Sequence, residues 1–403
     1  MPTRRRRQVF IAISLVVLAF NLRPAAISVG PVLDDIRRGL GMGSTTAGVV
    51  TTLPVLCFAV FGALAPWCAR TLGMHRVILV SLALAAAGMA LRAHADNSAT
   101  FIAATIPALA GMATANVLLP SLVKQHFPDR VGLLTSIYTT ALAIGLTAAS
   151  VLTVPIAQDT GSWRGGLIAW ALVAMIAAIP WSGLVKHDVK PQVGRHDAVP
   201  TRAVMHSSLA WAMAVFFGAQ SLQAYAVFGW LPQVYRDAGF SAPTAGLLLG
   251  VATGISIPIS FAIPSLAVRR TSQTPLILAL CLSYALGYVG LIVWPTQGAL
   301  AWALLIGLGT GMFPLVLTLI GLRARTADGT AALSGFTQSV GYLIAAVGPF
   351  MVGAVYGATG GWTVPLIALI VLLAPQVMAG VLVARPRFLE DELAGQQVAA
   401  AVK

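Results

Sequence analysis

Apolar residues occur in twelve long stretches along this chain, and short polar segments separate them. Each stretch has about 20 or more mostly apolar residues, the length that a helix needs to cross a hydrocarbon layer about 30 Å thick. A helix satisfies its own backbone hydrogen bonds there. The pattern therefore predicts an all-α polytopic membrane protein with twelve transmembrane helices in two six-helix bundles. The predicted spans are 8–32, 46–67, 75–95, 99–123, 131–155, 163–185, 207–232, 243–268, 275–294, 298–322, 331–357 and 362–384.

The composition excludes a soluble globular protein. Of the 403 residues, 58% are hydrophobic and 9% are charged, whereas about a quarter of the residues in a soluble domain are charged. The basic start of the chain resembles a secretory signal, but the apolar run over 9–20 leads to no small-residue cleavage site and continues to Val32. This continuation is typical of a first span. The three cysteines lie within or beside apolar stretches, so we expect no disulfide framework.

Positive charge is distributed unevenly among the polar segments. With a cytoplasmic N-terminus, the inner segments carry 19 of the 25 lysines and arginines, and the outer segments carry five. Retention of basic loops in the cytoplasm explains this bias, and the net charge of +13, better than nucleic-acid binding does. We therefore expect a multi-pass protein of the bacterial inner membrane with both termini in the cytoplasm. The outer basic residues are Arg37, Arg38, Arg92, Arg164 and Arg236.

A hydrophilic stretch over 186–206 divides the chain nearly in half. It combines charged residues with proline and glycine and cannot bury an apolar face, so we interpret it as a cytoplasmic linker. The predicted organisation is an N-terminal six-helix bundle over 1–185, this linker, a C-terminal six-helix bundle over 207–384, and a cytoplasmic tail over 385–403 without a domain of its own.

The two halves share a faint repeat. Thr46-Ala47-Gly48 precedes Pro66 as Thr244-Ala245-Gly246 precedes Pro264, at an offset of 198 residues, and a second match joins spans 4 and 10 at an offset of 200. The matches favour duplication of a six-helix unit, with chance similarity of common residues as the alternative. Parallel repeats of this kind predict a substrate site between the halves and alternating access.

The segment between spans 2 and 3 resembles the glycine-and-arginine loop of the major facilitator superfamily of secondary transporters. It reads GALAPWCARTLGMHR over 62–76, with Pro66 where an acidic residue is usual. In span 1, the sequences NLRPA over 21–25 and VGPVL over 29–33 are similar to the cyanate and 2-nitroimidazole permease (CynX/NimT) branch. This resemblance implies transport of a small planar, often anionic, solute. It assigns a gating role to Gly62, Pro66, Arg70, Gly73 and Arg76.

Arg23 is the ionisable residue that the pattern places inside the hydrocarbon region, while the acids and histidines fall in polar segments. A cation in a membrane helix usually faces a cavity or a partner and marks a pathway. The guanidinium fork matches a planar anion, so we hypothesise that Arg23 binds substrate. The alternative is a structural arginine that bonds helix-end carbonyls or reaches Asp34 or Asp35. Pro24 predicts a disturbed helix at this point.

Other polar and aromatic residues at mid-span depth are candidates for the walls of the same site. Amides and phenols form hydrogen bonds without a net charge, which suits a small oxygenated solute. Each of them is alternatively a contact between helices. Trp230 and Phe313 are considered for stacking on a flat solute, with interface anchoring as the alternative for Trp230. The polar candidates are Asn21, Asn116, Tyr138, Gln220, Gln223, Tyr225, Gln338 and Tyr342.

The sequence favours a secondary active or facilitative transporter of a small planar anion such as a cyanate-like, nitro or carboxylate compound. Three modes remain open: exchange of one anion for another, uptake of the anion together with a proton through Asp34 or Asp35, and passive facilitation. Drug efflux by proton antiport is the alternative within transport, and a receptor or a membrane-embedded enzyme is disfavoured because no soluble domain or catalytic constellation is present. We expect a monomer whose partners are its substrate and the lipid bilayer. We expect no cofactor, metal, nucleic acid or ATPase subunit.

Overall fold

The computed structural model describes residues 2–42, 44–185 and 201–401. Every regular element in these ranges is a helix, and twelve spans are long and apolar enough to cross a membrane. The all-α fold with twelve spans is therefore confirmed. The predicted linker falls largely outside the described residues, and only 201–206 of it is described.

Eight spans contain one long helix and four are interrupted. The continuous helices, which form spans 2 to 7, 9 and 11, are Ser44–Leu72, Met74–Ala93, Ser98–His126, Val131–Asp159, Trp163–Leu184, Ser208–Asp237, Thr274–Val293 and Ala327–Thr359. The interrupted spans are span 1 (Pro2–Asn21, Pro24–Ile27 and the 3-10 turn Gly30–Val32), span 8 (Ala242–Gly254 and Ser256–Val268), span 10 (Ala299–Gly309 and Met312–Leu322) and span 12 (Thr363–Val371 and Leu373–Ala384). The remaining helices are Leu33–Leu40, Pro128–Arg130, Thr201–Val204 and Leu389–Ala401.

The chain folds into two compact units. The first contains Met1–Arg130, Ile137–Val199 and Thr326–Gly335, and the second contains Val131–Ser136, Pro200–Arg325 and Phe336–Lys403. Large apolar side chains are exposed on both units, for example Ile179 at 67% in the first and Phe350 at 78% in the second. In water such surfaces would be a liability, whereas lipid solvates them.

The turn between spans 2 and 3 is tighter than predicted. The predicted spans end at residue 67 and resume at residue 75, whereas the helices end at Leu72 and resume at Met74. Thr71 Oγ1 donates to the carbonyl of Trp67 and extends the first helix. Gly73 alone makes the turn, with a φ of 94° that residues with a side chain rarely adopt.

The C-terminal tail contains the helix Leu389–Ala401, which contacts the start of span 7. The Glu392 carboxylate accepts hydrogen bonds from Ser207 Oγ (2.9 Å) and from the backbone N–H groups of Ser208 (2.6 Å) and Leu209 (3.2 Å). These groups begin span 7, so Glu392 satisfies N–H groups that have no partner within their own helix. Arg325 adds an exposed ion pair to Asp391, with 2.8 Å between Nη2 and Oδ2.

Candidate functional site

The first span is broken at the position of its cation. Its long helix ends at Asn21, a four-residue helix begins at Pro24, and Arg23 lies at the N-cap of that second helix with φ −103° and ψ −36°. The break that Pro24 predicts is therefore confirmed. Proline lacks the N–H that would bond the carbonyl of Phe20, four residues earlier. The Arg23 side chain is half-buried.

Two neighbours adapt to this break inside the first unit. A Cβ placed on Gly145 of span 5 would overlap the Phe20 carbonyl oxygen, so the absence of a side chain permits the close approach. Asn21 Nδ2 donates to the Val17 carbonyl at 2.8 Å. Asn21 Oδ1 is buried and accepts no hydrogen bond from the described residues. Within three residues of Arg23, the break thus leaves the Phe20 carbonyl without the donor that Pro24 lacks and the Asn21 Oδ1 without a partner among the described residues.

A second arginine, Arg92 in the last turn of span 3, contacts the same segment. Its side chain is fully buried, and it donates from Nη1 to the Ala25 carbonyl (2.6 Å) and from Nη2 to Ser28 Oγ (3.0 Å). The expectation that Arg23 is the only ionisable residue within the spans is therefore wrong, because Arg92 also lies within one. Hydropathy gives the depth of a residue along a span but does not indicate which face it occupies. A polar residue in the last turn of an otherwise apolar helix was the available signal.

Histidines also lie within helices, contrary to the expectation that all of them fall in polar segments. His75 is buried in the first turn of span 3, and its Nε2 lies 3.0 Å from Nε2 of His126 at the end of span 4. His75 also packs 5.9 Å from the Trp181 ring of span 6. The histidine pair therefore packs spans 3, 4 and 6 of the first unit together.

Asn116 and Tyr138 are the remaining predicted site residues of the first unit. Asn116 is buried in span 4 and Tyr138 is buried in span 5. Both have polar or aromatic interactions with neighbouring groups. Their burial is compatible with either of their two predicted roles.

In the second unit, Gln223 belongs to a neutral hydrogen-bond network. Its Nε2 donates to the Leu369 carbonyl of span 12 at 2.8 Å, and its Oε1 accepts from the Tyr288 hydroxyl of span 9 at 2.9 Å. Both amide atoms are thus bonded to other spans, which favours the packing role over solute contact. Gln220 donates from Nε2 to Ser221 Oγ at 2.6 Å, and it is also buried.

An aromatic cluster joins spans 7, 10 and 11 of the second unit. The Phe217 ring lies 5.1 Å from Tyr342 in an edge-on geometry and 6.2 Å from Phe313, and Tyr225 lies 6.5 Å from Tyr342. Gln338, one turn before Tyr342, is fully buried. The structure therefore brings Tyr225, Phe313 and Tyr342 together, whereas Trp230 donates from Nε1 to the Pro349 carbonyl at 2.9 Å and packs on Trp362.

The loop motif packs chiefly through small side chains. Gly62 and Pro66 are buried, and a Cβ on Gly335 would lie 2.5 Å from Pro66 Cγ and 3.3 Å from the Gly62 carbonyl oxygen. Pro66 therefore supplies an apolar contact where the resemblance leads one to expect an acid. Arg70 is half-buried and Arg76 is exposed, on either side of the Gly73 turn.

Comparisons with known proteins agree with this architecture. A family model described as the Major Facilitator Superfamily matches residues 9–349. The 2-nitroimidazole transporter of Escherichia coli (strain K12) is 34% identical over 384 residues, which cover 95% of this chain and 97% of that protein. The cyanate transport protein CynX of the same organism is 29% identical over 349 residues, which cover 86% and 90%.

A solved structure shares the fold. The proton:xylose symporter XylE, bound to 6-bromo-6-deoxy-D-glucose, aligns with a TM-score of 0.77 over 96% of this chain and 98% of that chain, at 14% sequence identity. The chain therefore belongs to the major facilitator superfamily of membrane transporters of small solutes, in the branch of the cyanate and 2-nitroimidazole permeases.

Proposed function

We propose that this protein transports a small planar anion by alternating access and that Arg23 is its substrate-binding charge. The observation that supports this proposal is that Arg23 lies at a break in an apolar span and that its side chain is half-buried. A guanidinium there costs at least about 2.5–3.5 kcal/mol on insertion scales, a cost that an anionic ligand offsets. Its planar donor fork suits a carboxylate-like or nitro-like group.

The chemistry beside Arg23 also favours a small oxygenated solute. The second, four-residue helix of span 1 begins at Pro24, and Asn21, two residues before Arg23, has a buried Oδ1 that accepts no hydrogen bond from the described residues. A cation and an amide within three residues provide donors and an acceptor in one short segment.

The relatives support the substrate class. One is named as a transporter of 2-nitroimidazole and one as a transporter of cyanate. Both solutes are small, and both carry electron-rich oxygen at one end. A flat or linear solute with such an end is the class that we assign to this protein.

A permanently charged arginine also favours exchange as the transport mode. An empty site with a desolvated cation resists the closed intermediate, whereas a bound anion lets that intermediate form. We propose that both termini lie in the cytoplasm, because the basic residues are concentrated in the inner segments.

Uptake by reconstituted vesicles tests the proposal. The panel contains cyanate, nitrate, benzoate and 2-nitroimidazole, and the variants are Arg23→Lys and Arg23→Ala. We expect Arg23→Ala to reduce anion uptake at least tenfold, because the free energy of one charge-assisted hydrogen bond corresponds to a factor of about ten. Arg23→Lys should keep part of the uptake. Preloading the vesicles with a second panel anion should accelerate uptake.

The control is Arg164→Gln, which removes another arginine of the first unit that donates to a carbonyl, that of Ala95, at 2.8 Å. This variant should transport normally, because Arg164 contacts the Ala95 carbonyl and the Trp163 ring and forms no hydrogen bond with residues 21–28 of span 1. Normal anion uptake by Arg23→Ala would disprove the role of Arg23. Equal losses for anions and for neutral solutes would make that arginine structural.

A further inference from the structure

Arg92 and Arg23 act on opposite ends of one very short helix. Arg23 lies at the N-cap of Pro24–Ile27, whereas Arg92 donates to the Ala25 carbonyl within it and to the hydroxyl of Ser28, its C-cap residue. The four-residue helix makes few hydrogen bonds of its own, and its last carbonyls have no helical partner. Its orientation therefore depends on outside contacts.

Arg92 is costly where it lies. It is fully buried, its bonded acceptors are neutral oxygens, and its Nε donates to no acceptor among the described residues. A buried guanidinium with incomplete compensation destabilises a fold compared with an apolar side chain of the same size. Leucine or methionine would fill the space at a lower cost, so packing does not account for an arginine at this position.

Two rigidly held donors explain the arginine. The planar guanidinium engages a carbonyl and a hydroxyl three residues apart in span 1, which fixes both the position and the rotation of the short helix. A lysine carries its N–H donors on one nitrogen at the end of a flexible stem, so it would hold the two acceptors less rigidly. Span 3, which carries Arg92, packs extensively on spans 4 and 6 and supplies a firm base.

We propose that Arg92 is a positioning residue that holds the helix Pro24–Ile27 so that the backbone of Arg23 is fixed for substrate binding. This inference rests on the proposed function, because it assigns to Arg92 an effect on substrate that passes through Arg23. Its structural half, the hold on residues 22–33, is independent of any substrate. The two halves are measured separately.

Amide hydrogen exchange in lipid nanodiscs tests the hold. In Arg92→Gln we expect the amides of residues 22–33 to exchange at least about tenfold faster, because their segment opens locally. Ser28→Ala, which removes only one acceptor, should give a smaller increase. Arg164→Gln, the matched arginine control, should leave these amides unchanged. Unchanged exchange over 22–33 in both Arg92→Gln and Ser28→Ala would overturn the proposal.

Transport kinetics test the effect on substrate. Arg92→Lys and Ser28→Ala should raise the KM for the anion, Arg92→Lys by about tenfold, while Vmax per folded protein stays near its original value. In the Arg23→Gln background, the same substitutions should raise KM no further, because the two residues act in series. A lower Vmax at unchanged KM, or additive effects in the double variants, would overturn the positioning role.

The outcomes separate the two proposals. If Arg23→Gln leaves KM unchanged, the proposed function fails, and the exchange experiment still decides whether Arg92 holds span 1. If Arg23→Gln raises KM and the Arg92 variants do not, the proposed function stands and the positioning role fails.

Discussion

Span 1 is interrupted between Asn21 and Pro24, whereas span 7, its counterpart at the start of the second unit, runs unbroken from Ser208 to Asp237. In each unit a donor from the third span bonds the first. In the first unit this donor is Arg92, which bonds a backbone carbonyl and a hydroxyl. In the second it is the neutral phenol of Tyr288, which bonds the Gln223 amide.

The difference follows from what each span offers to its neighbour. Span 7 is continuous around Gln223, so its carbonyls there bond within the helix, and the contact from the third span goes to the Gln223 side chain, for which one neutral hydroxyl is sufficient. A proline-broken helix exposes carbonyls at several points, and a guanidinium with five N–H donors satisfies more than one oxygen. The broken span therefore carries one cation, Arg23, at its break and is bonded by a second, Arg92, whereas the contact at Gln223 in the continuous span is neutral.

The largest expected effect concerns the close approach at the break. Gly145→Val should prevent proper folding or lower stability by about 3 kcal/mol or more, because the new side chain would overlap the Phe20 carbonyl. The measurement is the yield of monodisperse protein and its thermal melt in detergent. Gly183→Val is the control, since nothing lies within 4 Å of a Cβ there. Equal behaviour of the two variants would contradict the packing described at the break.

The neutral network should respond differently from the charged one. Tyr288→Phe should cost about 1–3 kcal/mol, because the buried Gln223 Oε1 loses its donor, with the KM for the anion unchanged. The double variant Tyr288→Phe with Gln223→Leu should lose less than the two single losses together. Thermal melts and uptake kinetics measure both effects. A raised KM in Tyr288→Phe would erase the distinction between the two spans.

Repair of the break should separate stability from transport. Pro24→Ala restores an N–H that can bond the Phe20 carbonyl, so the melting temperature should stay equal or rise. Transport should weaken, with KM for the anion increased about tenfold, because the straightened helix reorients Arg23. Melting curves and uptake of the same preparation provide the comparison. A variant with normal KM would show that the break is dispensable for substrate binding.

The smallest effect concerns the start of span 7. Burial raises the pKa of Glu392, but hydrogen bonds from Ser208, Ser207 and Leu209 outweigh it, so the net pKa lies below its usual value. A carboxyl with a depressed pKa stabilises the fold above its unfolded pKa, and that contribution is lost as the pH falls through the folded pKa. Glu392→Gln should therefore cost about 0.5–1 kcal/mol at neutral pH, and the difference should vanish as the pH falls through the depressed pKa of Glu392.

Asp391→Asn is the control for that measurement. Asp391 lies on the same helix as Glu392, and the substitution breaks only its exposed ion pair with Arg325. Its cost at neutral pH should be smaller than that of Glu392→Gln, because water and salt screen an exposed pair. Melting curves from about pH 2 to about pH 8 distinguish the two variants. A cost for Asp391→Asn equal to that of Glu392→Gln would mean that general attachment of the tail, and not the capping of span 7, stabilises the protein.

Much of the fold could be predicted from local sequence. The length of apolar stretches determined the number of spans, because a hydrocarbon layer requires about 20 residues per helix. Pro24 determined the break, because proline removes a specific N–H, and Gly73 permitted the one-residue turn. The depth of Arg23 within span 1 followed from counting residues along an apolar run.

Tertiary structure alone decided which polar groups meet. Arg92 looks like an outer-loop cation in the sequence, yet it is buried against Ala25 and Ser28, 67 and 64 residues earlier. Glu392 looks like part of a plain tail, yet it caps a helix 184 residues away. Hydropathy measures how deep a residue lies in the membrane, whereas partners depend on helix rotation and packing, which arise from contacts between spans distant in sequence.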